Sequence, residues 1–449
     1  MRSLSGRFTV VLILLASTWP ATRALGADRF VSAVGNDTAN DCLTSLTPCR
    51  TLAHALAQAA SSDTIDVAGG TYQEPPLLID FTTTLTFSGG WTPDFGSRDP
   101  ALNPTVLDGA GQAELLDVSA GAGEVVDVTV DGFTLRDGEG FAGAALVQTQ
   151  GDGNLSLAFQ SCVITDTVSG NGGVFALSSN TSSLNLSFTD CALTRNIDLV
   201  GGAIRLTCGD TSALSLSITR SRIEKNRGVL GGAVLAESTA TGTMTVTLVD
   251  SIVARNGAAQ RNLSHGGGLW ISNFGGVANV DITNTIFSRN KIFGTGGAIY
   301  AQGTVNLTVT NSTFTRNQTR AFSTETTSGR GGGIFLTGAS TVTLTNTILW
   351  GNRAAREGRD LFMEESPGTL TVNADHDDID DRTTASGTFN DLGGNLQIDP
   401  RLSRVDSRLT AGSPAIDTGT CVGAPTTDFE GDPRPTGGGC DMGADEFVP

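Results

Sequence analysis

The segment Phe287-Ser-Arg-Asn290, followed by Gly296-Gly-Ala-Ile299 and later by Phe314-Thr-Arg-Asn317, holds the unit from which this chain is built. An aliphatic or aromatic residue, two spacers and an asparagine precede a variable loop and a glycine pair. Upstream the unit recurs at Leu193–Asn196 with Gly201-Gly202, at Ile223–Asn226 with Gly231-Gly232, and at Val253–Asn256 with Gly267-Gly268. Downstream it recurs at Phe314–Asn317 with Gly332-Gly333, and at Leu349–Asn352 with a degenerate Gly358. Asn196, Asn226 and Asn256 lie 30 residues apart, and the later intervals are 34, 27 and 35 because the loops differ. Self-similarity at this period means stacked supersecondary units.

The interior of one unit gives the local structure. After Gly296-Gly297 a short strand reaches Tyr300, and Gln302-Gly303 turns the chain. Val305, Leu307 and Val309 then alternate with Asn306, Thr308 and Thr310, the period of a strand with one buried face. A turn at Asn311-Ser312 leads into Thr313-Phe314 and ends at Asn317. Three short strands per coil, stacked coil on coil, make an all-β, right-handed parallel β-helix, the hand following from that of parallel crossovers. Asn196, Asn226, Asn256, Asn290, Asn317 and Asn352 are expected to stack as an internal amide ladder, which makes them structural.

Composition agrees. Charged residues are 16% and glycines number 57, strand-and-turn material with little for helices. Arg2 and Arg7, the apolar run Phe8–Ala16 and the small residues ending at Ala27 read as a secretory signal over 1–27, so an extracellular or cell-surface location is expected. No later run approaches the roughly 18 apolar residues of a membrane span. Removing Arg2, Arg7 and Arg23 takes the formal charge from −18 to −21. Such a surface disfavours nucleic acid and anionic membranes.

Export permits disulfides. Cys42 and Cys49 form a short-loop pair, and Cys421 and Cys440 bracket a Pro/Gly-rich loop. Cys162 and Cys191 take equivalent places in successive repeats, within disulfide reach of each other, which leaves Cys208 over. An open stack needs its ends covered. Residues 28–80, with a helix capped by Thr51 and faced by Leu52, Ala55, Leu56 and Ala59, are read as an N-terminal cap. Residues 81–385 are read as the helix proper, and 386–449, where the repeat gives way to Pro, Gly and Asp, as a C-terminal cap.

The GGA-plus-aliphatic and Phe-x-x-Asn signatures resemble the repeats of polymorphic outer-membrane proteins, over about residues 130–362. Gly89-Gly90-Trp91, Ser97–Pro100 and Asn103–Gly109 resemble the opening of secreted bacterial β-helices. Gly412–Asp417, Asp428–Asp432 and Asp441–Glu446 resemble the choice-of-anchor Q module of secreted bacterial proteins. These resemblances imply a pectin-lyase-like solenoid and an adhesin-like binding or structural role at the outer membrane or outside the cell. The implied partners are a polysaccharide or a neighbouring cell surface.

Chemistry is sparse. A lyase needs carboxylates to hold Ca²⁺ against a uronate and an Arg or Lys base, and a hydrolase needs paired carboxylates. The Trp-x-Asp-His and Asn-Thr-Asp motifs of such enzymes are missing, so a polysaccharide lyase or glycoside hydrolase stands as the alternative reading. Candidate Ca²⁺ ligands are Asp377, Asp378, Asp380 and Asp381, set about an inward Ile379 with the acids outward, and Asp428, Glu430 and Asp432. A solvated face is the simpler reading of the first group. The long loops Asn256–Gly266 and Asn317–Gly331 leave one corner of the stack side by side, and Arg320, Phe322 and Arg330 in the second are candidate binding residues.

Overall fold

The computed structural model describes residues 26–258, 264–321, 327–365 and 368–449. Strands assemble into sheets of 22, 11 and 8 members, and one coil shows the pattern. Ile204–Cys208 and Ala213–Thr219 belong to the large sheet, Arg222–Glu224 to the 11-stranded flank sheet, and Arg227–Leu230 to the 8-stranded corner sheet. Each strand pairs parallel with its equivalents one coil away, as Leu214 does with Leu184 before it and Met244 after it. The chain is thus an all-β parallel solenoid. The corner strand is an addition to the three expected per coil, because the loop after each asparagine also pairs with its neighbours. The turn expected at Gln302-Gly303 is also different: Ile299–Thr310 is one strand, bent at Gly303, whose φ of +94° only glycine adopts cheaply.

Parallel register stacks like on like. Leu155, Leu184, Leu214, Met244, Ala278 and Val305 form one buried column. Phe287 and Phe314 stack at 4.8 Å, nearly coplanar at 7°. Beside them run two polar rows. Asn196 Nδ2 donates to Asn226 Oδ1 at 3.0 Å, and the relay continues through Asn256, Asn290 and Asn317 to Asn352, whose amide donates to Asp360 Oδ1. Each Oδ1 also accepts the backbone N–H of the asparagine before it, and each amide also donates to a main-chain carbonyl, as Asn256 does to Ile223. Burial without a partner is costly for every one of these groups.

The second row corrects the third disulfide. Cys162, Cys191 and Cys208 are all free and buried, while Cys42–Cys49 and Cys421–Cys440 are bonded. Cys162 N–H donates to Cys191 Sγ at 3.4 Å and Cys191 N–H to Ser221 Oγ at 3.0 Å, so each thiol is a rung equivalent to the serines that follow. Each sulfur lies against carbonyls of its own and the preceding coil.

The solenoid is longer than the 81–385 read from the repeat. Asp28–Val31 already pairs with Thr64–Ala68, and Thr388–Gly393 still pairs with Thr371–Asp375. The helix Leu52–Gln58 begins where Thr51 Oγ1 accepts from His54 N–H, and the Glu74 carboxylate accepts from Leu52 and Ala53 N–H at 2.8 Å each. The segment after 393 first pairs with the last flank strand, through Leu396 and Ile398, and then turns backward along the flank. Asn346, Asn311 and Asn284 donate from three successive coils to the carbonyls of Thr420, Asp441 and Thr427. Ile348 packs there with Leu409, Ala415 and Met442. No helix among the described residues is long and apolar enough to cross a membrane.

Asn256→Ala would strand the Asn226 amide, the Ile223 carbonyl and Asn290 Oδ1 together, so a loss of about 3 kcal/mol or more is expected in denaturant unfolding. A loss below about 1 kcal/mol would contradict a stabilising ladder.

Candidate functional site

The acids of the first acidic group face different ways and do not all point outward. Asp377 and Asp378 are fully buried. Asp377 takes the next place in the hydroxyl and thiol row, accepting from Thr347 N–H at 2.6 Å and from Asp375 N–H at 3.0 Å. Asp378 accepts from Ile398 N–H, and its other oxygen has no partner among the described residues. Asp380 and Asp381 turn the other way and pair with Arg359 at 3.3 and 3.4 Å. Sequence missed this because an aspartate that replaces a serine rung cannot be told from a solvated one by composition.

Asp428, Glu430 and Asp432 do converge, with carboxylate oxygens within 4.8 Å of one another, and theirs is the all-oxygen set among the described residues that could close on a hard cation. Their existing bonds argue for a turn. Asp428 Oδ1 accepts from the N–H groups of Glu430 and Asp432, and its Oδ2 from that of Glu446. Glu430 is held by Arg408.

Of the loop candidates, Phe322 lies outside the described residues. Arg320 lies 5.4 Å from the centre of the Phe293 ring. Arg330 lies 5.1 Å from the centre of the Phe362 ring and reaches Glu357 and Glu364 at 3.4 and 3.5 Å. The two arginines are therefore spent on aromatic faces rather than gathered at one surface.

What Arg330 helps to cover is more informative. Trp270, Tyr300, Phe335 and Phe362 face outward from the large sheet in strict register. Tyr300 stacks on Phe335 at 5.4 Å and Phe335 on Phe362 at 5.2 Å. Outward rings on a β-helix should be wet, yet Tyr300 is 7% exposed and Phe362 not at all. The described ends of the two long corner loops, Ser264–His265 and Thr327–Ser328, lie over them. Ser264–His265 pairs with Gly294 and Thr295 on the loop of the next coil. This sets the His265 ring on Tyr300 at 4.4 Å and edge-on to Trp270 at 5.0 Å.

Under this roof lies a cavity of about 260 Å³, lined among others by His265, Tyr300, Gln302, Phe335, Thr337 and Glu364. Burial pushes His265 down to about 4, so its ring is neutral near pH 7. Burial likewise pushes Tyr300 up to about 12, and its hydroxyl donates to Gln302 Oε1 at 3.0 Å. Aromatic faces flanked by neutral donors and acceptors suit a ring with an apolar face and a hydroxylated rim. Glu364 is the one carboxylate among the described lining residues, and paired-carboxylate hydrolysis needs two. The sequence signal was present in the aromatic positions, but strand alternation alone does not show that loops return to cover them.

No protein-family profile matches the chain, and no curated protein does. Among solved structures the chain is similar to the crystal structure of pectate lyase Pel9A, at 13% identity, covering 95% of this chain and 97% of that one, with a TM-score of 0.44. It is also similar to a rhamnogalacturonan lyase, at 10% identity over 82% and 87% of the two chains, with a TM-score of 0.34. Likenesses this distant assign no activity to the chain.

The buried acids set a pH dependence. Burial raises Asp198, Asp360 and Asp378 to about 7, so they are largely protonated in the fold at pH 5, whereas unfolded aspartates ionise near 4. The native chain therefore binds more protons between about pH 4 and 7, and stability is lost as pH rises through that window. The Arg195 guanidinium beside Asp166 and the Arg220 guanidinium beside Asp190 hold those carboxyls low, and their contribution is lost only on acidification below about 4. The melting temperature is expected to be higher at pH 5 than at pH 8. Asp360→Asn, which keeps the acceptor for Asn352, is expected to narrow the gap; a gap of opposite sign in the parent would contradict the assignment.

Proposed function

We propose that this chain is an exported, surface-associated or secreted parallel β-helix that binds glycan and has an adhesin-like rather than a catalytic role. The observation that carries the reading is the cavity roofed by the long corner loops, where Tyr300 and Phe335 offer ring faces and Gln302, Thr337 and Glu364 offer polar edges. The apolar run before Ala27 supports export, and the repeat and C-terminal signatures support kinship with polymorphic outer-membrane repeats and the choice-of-anchor Q module. A Ca²⁺ requirement is not part of the reading, because the converging acids Asp428, Glu430 and Asp432 already hold a turn.

The test is a titration of the mature protein with a panel of neutral and acidic oligosaccharides, followed by Trp fluorescence and calorimetry, with new reducing ends and unsaturated products assayed in parallel. Binding without new chain ends is expected. Tyr300→Ala, which removes a stacking face, is expected to weaken it roughly tenfold, from the 0.5–1.5 kcal/mol of an aromatic contact plus its buried area. Turnover of any bound glycan, or neutral-oligosaccharide binding indifferent to Tyr300→Ala, would overturn the reading.

A further inference from the structure

The residue before each ladder asparagine, and before Gly138 and Thr167 at the equivalent place in the two preceding coils, has left-handed backbone, with φ between 51° and 60° at Asp137, Asp166, Arg195, Lys225, Arg255, Arg289 and Arg316, and 70° at Gly351. Asp, Asn and Gly take this conformation most cheaply, and Asp137, Asp166 and Gly351 take it at either end of the stack. In the five coils between, it is filled by Arg195, Lys225, Arg255, Arg289 and Arg316. Five successive long cations at a position where small residues fit better, in a chain of formal charge −18, form a column that the fold does not require.

The column lines a groove. A cavity of about 450 Å³ is walled by Arg195, Lys225, Arg227 and Arg255 with Asp166. It shares Arg255 with a second of about 290 Å³, which shares Arg289 with a third of about 590 Å³. The outer wall of the second and third is the C-terminal segment. In the middle cavity the acids are matched, Glu224 by Arg222 and Glu430 by Arg408. The third cavity is not balanced. Arg289, Arg316, Arg353, Arg401 and Arg404 surround it against Asp399 alone, and none of the five has a carboxylate at ion-pair distance among the described residues. Arg289 and Arg316 are aimed by neutral carbonyls of residues 402–405, which fix their direction, and the nearby Asp406 offsets the charge of Arg316 only in part. Burial, with the charges of Arg289 and Arg404, pushes the Arg316 pKa down. Trp350, half-buried, lines the same cavity.

We propose that this flank groove binds a linear anionic polysaccharide, its carboxylate or sulfate groups meeting the arginines of the third cavity and the Lys225–Arg255 end of the first. A guanidinium fork matches either oxyanion, and a cluster of unmatched forks on a rigid wall is the arrangement such groups favour. The groove runs parallel to the stack, so an extended chain occupies it better than a small ion. A nucleic acid duplex is disfavoured because matched and unmatched acids, Asp399, Asp406 and Glu430, border a single-file row of cations. This site is separate from the roofed cavity, so either assignment stands if the other fails.

Surface-binding titrations with heparin and polygalacturonate as sulfated and carboxylated probes, and with dextran and duplex DNA as controls, test it at 50 and 300 mM NaCl. At least one polyanion is expected to bind, weakening by about tenfold or more across that salt range. The double variant Arg353→Gln/Arg401→Gln alters two exposed side chains, so its melting temperature is expected to stay within about 2 °C of the parent. It is expected to lose about tenfold or more in polyanion affinity. Failure of both polyanions to exceed dextran overturns the proposal. So does DNA binding of equal strength or an unchanged affinity in the double variant.

Discussion

A buried asparagine amide has to find partners above and below it, and that demand organises this molecule. Each ladder side chain accepts from the coil before and donates to the coil after, so a coil that misplaced its asparagine would strand groups on both neighbours. The strand after each glycine pair and the strand before each asparagine are consequently held in register from Asn196 to Asn352. Length varies most in the loop that leaves the corner after each asparagine and less in the turn between the two strands of the large sheet. The intervals of 27 to 35 residues are the trace of that freedom.

Function follows from where variation is tolerated. The same corner loops that vary in length are those that fold back over Trp270, Tyr300, Phe335 and Phe362 and enclose a cavity on what would otherwise be a plain wet sheet. On the opposite side of each asparagine, the left-handed residue before it projects from the stack, and its side chain is free to be chosen for charge. A rigid interior thus presents two rows at fixed spacing, one aromatic and roofed, one cationic and open along the flank. The C-terminal segment contributes by docking beside the second row, where Asn284, Asn311 and Asn346 donate to its carbonyls.

Fold class was legible because its signal repeats: the Phe287 and Phe314 column and the asparagines recur with the coil. Elements that occur once per chain, or whose meaning depends on covering loops, were not. Asp377 looks like a surface acid, but its register makes it a rung. Cys162 and Cys191 look like a bridge, but their register makes them rungs as well. The arginines before the asparagines stood in plain view as spacers, and their role needed the backbone angle that sequence does not display. The extent of pairing beyond 81–385 was hidden because the first and last coils lack the glycine pair while keeping the strand alternation.

The most direct test is a crystal structure of the protein grown with a glycan that it binds. A sugar ring seated on Tyr300 beneath His265, with its glycosidic bonds intact, is the result expected of a roofed binding cavity. A cleaved product in that cavity, or a glycan seated elsewhere with the cavity collapsed around Phe335, would contradict the central claim that loop closure over the aromatic row makes the binding site.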